Sequence, residues 1–253
     1  MSKLYAGYFV GEFGWEVMKW QAHIRHLAKS YDKIIVGCEI GHDFLYSDFA
    51  TETYLFEPLA DVKRNMWMVN GNVIKLKETL DSVYPSKNIC LEKNLKQDFI
   101  KYGKFDVRHQ YDILIHARDT NNLNTGYRNW PERNWLDVVF AYPTLRIASI
   151  GSKQCAKHIT GTTDLRDIDL SILADVMVSS EVLLSPSSGP AHFASLCGLK
   201  HIVWAADNDR TIHRNEERYK TTWNPLGTEV NFIDGWQPES KNVIKRCDNW
   251  LGL

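Results

Sequence analysis

Cysteine is scarce and scattered in this 253-residue chain: the five at 38, 90, 155, 197 and 247 include no C-x-x-C pair. That pattern argues against a disulfide framework or a clustered zinc site, and points to reduced thiols and a cytoplasmic setting. Excess charge is missing too. Thirty Lys and Arg face 31 Asp and Glu for a net charge of −1, so there is no global basic field of the kind that marks many nucleic-acid binders. No apolar run approaches the ~20 residues that a membrane-spanning helix needs. No secretory leader pattern is expected at the start of the chain, and no Asn-x-Ser/Thr sequon occurs. The absence of H-E-x-x-H, P-loop and G-x-S-x-G motifs removes the zincin, Walker-type and α/β-hydrolase readings. Internal repeats and low-complexity segments are likewise absent.

What remains is an ordinary globular composition, 44% hydrophobic and 24% charged, long enough for two cores. Leu4–Val10 reads as a strand, Trp15–Lys29 as an amphipathic helix with Val17, Trp20, Ile24 and Leu27 on one face, and Lys33–Cys38 as a buried strand. Residues 39–61 carry six acids and no Lys or Arg, whereas residues 62–108 carry ten Lys or Arg against five acids. The weakly patterned stretch near Lys96–Gln110 sets the expected boundary, giving domains 1–108 and 109–253. The second half repeats the rhythm: strands at Asp112–Ala117, Leu145–Gly151 and Lys157–Thr160, and helices at Pro131–Tyr142 and Leu170–Ser180. A strand at Val182–Leu184, a helix over Phe193–Gly198 and a strand at His201–Trp204 follow. A strand at Glu229–Ile233 and a closing helix at Pro238–Leu251, able to pack back on the first domain, complete the order. Alternation of this kind predicts an α/β fold with parallel sheets, two Rossmann-like domains facing a central cleft.

Three loops carry the chemistry. Ser185-Pro186-Ser187-Ser188-Gly189-Pro190-Ala191-His192 joins a strand to a helix, with Pro near the first helical position. Its Ser188 and Gly189 N–H groups at a helix N-terminus suit an anion such as phosphate. Against this stands simple helix capping and, for His192, a packed structural role. The second loop runs from His116-Ala117-Arg118 to the Arg128–Trp135 block. There Arg118 and Arg128 suit bidentate contacts to phosphate oxygens, while Arg133 suits a surface role and Trp130 and Trp135 suit packing. The third, Gly11-Glu12-Phe13-Gly14-Trp15-Glu16, offers two glycines for a tight turn and two carboxylates, either of which can cap a helix or take a proton from a hydroxyl. Asp207-Asn208-Asp209 after a strand could hold a cation, but Arg210 beside it favours a ligand-lining or surface loop, and no metal site is expected.

Over residues 111–206 the chain resembles glycosyltransferase family nine, the heptosyltransferase-like enzymes. The resemblance rests on the strand ending in Arg118, the Arg128–Trp135 block, Asp169–Ala174 and the Ser-Gly-Pro-Ala-His segment. It implies a GT-B fold and inverting transfer from a nucleotide sugar without an essential metal or any other cofactor. It further implies diphosphate contacts from Arg128, Ser188 and Gly189, with Ser187 standing where the family usually has Asp or Asn. The family's Gly-Asp-Val loop is matched by Gly14-Trp15-Glu16-Val17 with one extra residue and Glu for Asp. This places Glu16 as the base and Glu12 as the alternative. The expected donor set is thus Arg118, Arg128, Ser187, Ser188, Gly189, His192 and Gly14.

Two acceptors are compatible with this reading, and the lack of a membrane-docking helix tips it toward the second. One is a saccharide or lipid-linked glycan. The other is a hydroxymethylated base in DNA, suggested by the basic 62–108 segment with Trp67, Tyr84 and Tyr102 interspersed. A GT-B-like nucleotide-sugar epimerase and a non-catalytic binding module are the rival classes.

Overall fold

The rhythm of short apolar strands and amphipathic helices builds two compact units, residues Met1–Phe99 and Ile100–Leu253. The computed structural model describes residues 2–7, 9, 11–57, 94–121, 126–207 and 213–253, with the backbone alone of 82–84.

In the first unit, strand β1 (Lys3–Ala6) leads into a helical run. That run begins as α1 (Phe13–Trp15), widens to a π-helical turn over Glu16–Trp20, and continues as α2 (Gln21–Ala28). The Gln21 N–H reaches back to the Glu16 carbonyl, the five-residue bond that defines such a turn. A 3.6-residue pattern does not reveal this widening, and the expected uniform helix over Trp15–Lys29 is corrected accordingly. Strands β2 (Lys33–Glu39), β3 (Glu52–Phe56) and β4 (Ser82–Tyr84) complete a parallel sheet of order β3-β2-β1-β4. Arg25 of α2 is buried and holds the 43–48 segment after β2. Its Nε lies 2.7 Å from Asp48 Oδ2, and its guanidinium donates to the Leu45 carbonyl at 3.0 Å.

The second unit has six parallel strands: β5 (Ile113–Ile115), β6 (Ile147–Gly151), β7 (Thr163–Arg166), β8 (Val182–Pro186), β9 (His201–Ala205) and β10 (Val230–Asp234). Their order, β10-β9-β8-β5-β6-β7, is the doubly wound Rossmann arrangement. Helices α3 (Glu132–Ala141), α4 (Leu170–Ser179), α5 (Gly189–Cys197), α6 (Glu216–Lys220) and α7 (Ser240–Leu251) accompany them. The core packs Ile113, Ile115, Val182, Leu184 and Ile202 with a trio of tryptophans. Trp130, Trp135 and Trp204 have ring centroids 4.8 to 5.5 Å apart, so Trp130 and Trp135 are packing residues. Gly198, at φ 77, ends α5 in the left-handed region.

Residues 100–108 and the polar edge strand lie where the sequence pattern did not place them. Residues 100–108 belong to the second unit: the Tyr102 N–H donates to the Leu196 carbonyl, the Lys104 N–H to Asp175 and the Asp106 N–H to Ser179 Oγ. The division therefore falls after Phe99 rather than after Arg108, because polar backbone bonds that composition does not register tie this stretch to α4 and α5. The strand expected at Lys157–Thr160 lies instead at Thr163–Arg166. That edge strand is mostly polar, with Asp164 and Arg166 paired on one face (2.8 Å), and so carries little hydrophobic signal. The closing helix α7 packs on α3 within the second unit, with Tyr142 Oη donating to Asp248 (2.7 Å).

Candidate functional site

In an open parallel sheet, ligands bind beyond the carboxyl ends of the strands, where the winding changes direction. In the second unit that point lies between β5 and β8. The two loops leaving these strands are His116–Arg118 and Ser187–Gly189, two of those that sequence singles out.

The loops are stitched together. His116 donates its backbone N–H to the Leu184 carbonyl at 3.0 Å, and its ring Nδ1 lies 3.0 Å from Ser188 Oγ. Its ring lies against Gly151, where an added Cβ would come within 2.8 Å of it and where φ is +116, so only glycine is tolerated there. Burial, reinforced by the cations Arg118 and Arg128, pushes the His116 pKa down to about 3. The ring is neutral at physiological pH.

Ser188 occupies the N-cap of α5 with an extended backbone, yet its hydroxyl makes no capping bond. It turns to His116 and Ser185 Oγ instead. The capping reading therefore does not apply, and the N–H groups of Gly189 and Ala191 begin the helix without a side-chain acceptor from the N-cap. Ser187 plays a different part. It is 2% exposed; its N–H donates to the Trp204 carbonyl, its hydroxyl accepts from Tyr219 Oη (2.6 Å), and its carbonyl accepts from the Arg128 guanidinium. Ser187 is a strut behind the turn, with each of its polar groups already engaged by protein.

Arg128 is buried against this strut, its guanidinium 4.9 Å from the centroid of the Trp236 ring, and Arg214 lies 6.0 Å from the same ring. His192, one turn into α5, lies parallel to Tyr219 (5.6 Å, 8°) and edge-on to Trp223. Its Nδ1 has no hydrogen-bond partner among the described residues. Desolvation chiefly, then the charges of His201, Arg214 and Arg128, lower its pKa to about 3. Burial raises the Tyr219 hydroxyl to about 12. This corner therefore combines cationic guanidiniums with neutral, aromatic walls. Tyr219, Trp223, Arg214 and Trp236 were not legible as site residues, since their stretch shows no motif.

Arg118 donates to Asn129 Oδ1 at 2.5 Å. With Ala117, Asn129, Pro131, Glu132 and Lys157 it lines a cavity of about 200 Å³. The acids beside it engage Lys157, Glu132 at 3.1 Å and Asp119 at 3.9 Å. Arg133 is exposed. Asp207 is bound by His213 (2.9 Å) and Asn215, whereas Asn208, Asp209 and Arg210 lie outside the described residues. Among the described residues no group of three His, Cys, Asp or Glu is placed to hold a metal ion.

In the first unit the winding turns between β1 and β4, and the Gly11–Glu16 loop leaves β1. Glu12 is exposed at the start of α1, accepts the Trp15 N–H through its carbonyl, and makes no side-chain cap. Gly14 lies inside α1. Glu16, on the π turn, is 3% exposed. Its Oε1 accepts from Tyr46 Oη and its Oε2 from His42 Nδ1, both at 2.7 Å. Neither acid caps a helix, and His42 and Tyr46, invisible to motif reading, complete the cluster. Tyr102, counted among the aromatics of a nucleic-acid surface, is 3% exposed and packs on Phe193 (5.8 Å); this removes it from any base-stacking role. Trp67 and the side chain of Tyr84 lie outside the described residues. No described helix is long and apolar enough to cross a membrane.

No family model matches the chain, and no curated protein does either. Solved structures do. A glycosyl transferase family 9 protein from Veillonella parvula superposes with a TM-score of 0.62 at 9% identity, covering 99% of this chain and 97% of that one. An Escherichia coli heptosyltransferase with ADP gives 0.58 at 11%, covering 98% and 99%. A Listeria monocytogenes protein assigned as a UDP-N-acetylglucosamine 2-epimerase gives 0.53 at 14%, covering 99% and 88%. The fold is that of the GT-B glycosyltransferases.

Proposed function

We propose that the protein is a nucleotide-sugar-dependent glycosyltransferase that inverts the anomeric centre. The observation that carries this reading is the start of α5 in the second unit. There the N-cap hydroxyl is drawn away to His116 while Arg128 is fixed against the same turn through the Ser187 carbonyl. A helix N-terminus with a preset guanidinium suits a nucleoside diphosphate, whose charge grows as the sugar departs. Arg128, Arg118 and the α5 N–H groups take up that charge. The nucleotide sugar enters as substrate, and the scheme uses no cofactor or metal. The Glu16 cluster of the first unit serves the acceptor hydroxyl. The E. coli neighbour solved with ADP makes adenine nucleotide sugars the first donors to test.

For the acceptor we propose a saccharide hydroxyl. Of the aromatics behind the DNA reading, Tyr102 is buried, while Trp67 and most of the basic segment lie outside the described residues. An epimerase is the second reading, favoured by the Listeria neighbour. A melting panel with ADP-, UDP- and GDP-linked sugars tests the donor site, since a ligand bound only by the folded state raises Tm. NMR of the products then decides the reaction. A transferase releases a sugar, onto acceptor or water, with inverted anomeric configuration. An epimerase returns a nucleotide sugar altered at another carbon. Absence of any Tm rise across the panel refutes the donor assignment.

A further inference from the structure

We infer that the cavity beyond the carboxyl end of β5 is a subsite for an uncharged, hydroxyl-rich ring, a single neutral sugar unit. The inference rests on the transferase reading above for the source of that sugar, and on the second unit alone for the chemistry of the cavity.

The cavity exists because the chain after β5 does not leave the sheet at its edge. Beyond Ile115 it runs on as an antiparallel ribbon with the segment after β6. Arg118 bridges Ala156, the Asp119 N–H donates to the Cys155 carbonyl at 2.7 Å, and the Lys157 N–H donates to the Ala117 carbonyl at 2.8 Å. This ribbon forms one wall. The start of α3 at Pro131 and Glu132 forms another, and the indoles of Trp130 and Trp135, crossed edge-to-face at 4.8 Å, complete the lining. The enclosed volume is about 200 Å³. Sites for drug-sized ligands hold roughly 300 to 1,000 Å³, so this one suits a single small ring.

Charge selects the kind of ring. Arg118 and Lys157 bring positive charge to the lining, and Asp119 and Glu132 balance it. An anionic ligand would meet the two carboxylates, and a cationic one the guanidinium and the ammonium, each with like-charge repulsion. A neutral polyol meets neither: its hydroxyls donate to the acids and accept from the cations. Lys157 Nζ lies 3.1 Å from Glu132 and 3.9 Å from Asp119, yet all three side chains remain 39 to 49% exposed. Their pairing therefore leaves donor and acceptor positions open. Trp135 adds a further donor. It is 1% exposed, and its indole N–H has no hydrogen-bond partner among the described residues. A buried donor of that kind gains from an oxygen-rich ligand.

The location suits a sugar joined to a diphosphate. The lining begins at Ala117, next to His116, whose ring meets Ser188 at the start of α5. The same strand end thus serves the diphosphate turn through His116 and the cavity through Arg118.

The test measures binding to the intact protein of UDP and ADP, UDP- and ADP-glucose, UDP-glucuronate, UDP-glucosamine, and free glucose and galactose. Calorimetry reads the nucleotides and saturation-transfer NMR the free sugars. Neutral sugars should bind at least tenfold more tightly than the acidic and amino sugars. Asp119→Ala with Lys157→Ala removes one charge of each sign. It should weaken neutral-sugar binding by about 5- to 100-fold while leaving the bare nucleotides unchanged. Asp119→Asn with Lys157→Gln keeps hydrogen-bonding groups and should recover most of the loss. Melting curves confirm folding, and Lys157→Ala alone replaces the pair if the pair does not fold. A loss confined to nucleotide-linked sugars assigns the cavity to the donor's sugar; a loss that extends to free sugars assigns it to a free saccharide, and both uphold the subsite. Equal sugar affinity in wild type and the alanine variant, an equal loss for the bare nucleotides, or tighter binding of charged sugars overturns it. Failure of every sugar, free or linked, to bind overturns it as well. If free sugars bind and no nucleotide does, the donor reading falls and the subsite stands.

Discussion

Lowering the pH from 7 to 5 should destabilise the second unit through its buried histidines, and His116 shows how strongly. Burial and the neighbouring Arg118 and Arg128 lower its pKa from 6.5 to about 3. In the unfolded chain the same ring returns to its ordinary value. The folded state therefore binds fewer protons than the unfolded one between those limits. Stability is fully present above pH 6.5 and is lost as pH falls toward about 3. At pH 5 the unfolded ring is almost wholly protonated and the folded ring almost wholly neutral. A gap of roughly 1.5 pH units at ~1.4 kcal/mol each gives a loss of about 2 kcal/mol. His201, held to about 4 by burial, loses a similar amount, and His192 acts in the same direction. Losses on that scale are large against a typical stability of about 5 to 15 kcal/mol. The acids whose pKa is lowered most, Asp106 beside Arg108 and Asp164 beside Arg166, weaken the fold only below their ordinary 3.8, so their window is separate. Urea unfolding followed by tryptophan fluorescence at pH 7 and 5 measures the effect, and His201→Gln should shrink the difference by about 2 kcal/mol. Equal stability at both pH values, or an identical pH dependence in His201→Gln, refutes the reasoning.

Arg128→Ala should weaken nucleoside diphosphate binding by about 10- to 100-fold, because a hydrogen bond to a charged group contributes roughly 1.5 to 3 kcal/mol; titration calorimetry reads it. Arg128→Lys keeps the charge but loses the planar fork over Trp236, and should recover only part of the affinity. Gly103→Ala should cost more than about 2 kcal/mol in urea melts, since φ is +79 and a Cβ would meet the Ala174 carbonyl oxygen at 2.4 Å. Gly227→Ala, at φ +69 with nothing within 4 Å, should cost only about 1 kcal/mol. A small effect at Gly103 would contradict the packing of residues 100–108 on α4.

Much of the fold is written in the order of its elements. The strand–loop–helix–strand run at 182–204 and the Pro131 helix start are local signals, and local signals survive into structure. The loops that carry Ser187–Gly189 and Arg118 were legible as strand-end turns, and the structure brings them together beyond β5 and β8. The aromatic corner was not, because Tyr219, Trp223 and Trp236 reach Arg128 and His192 only through tertiary packing. His42 was equally hidden. Its partner Glu16 lies 26 residues away, and the π turn that carries Glu16 has no sequence signature. Ser187, a donor candidate in sequence, has its hydroxyl and carbonyl engaged by Tyr219 and Arg128, which only the structure shows.

Calorimetric titration of wild type and Arg128→Ala with ADP, UDP and GDP tests the donor site most directly. At least one nucleotide should bind the wild type, and should bind Arg128→Ala at least tenfold more weakly, with both proteins melting as folded. No binding by any of the three, or equal affinity for wild type and variant, would contradict it.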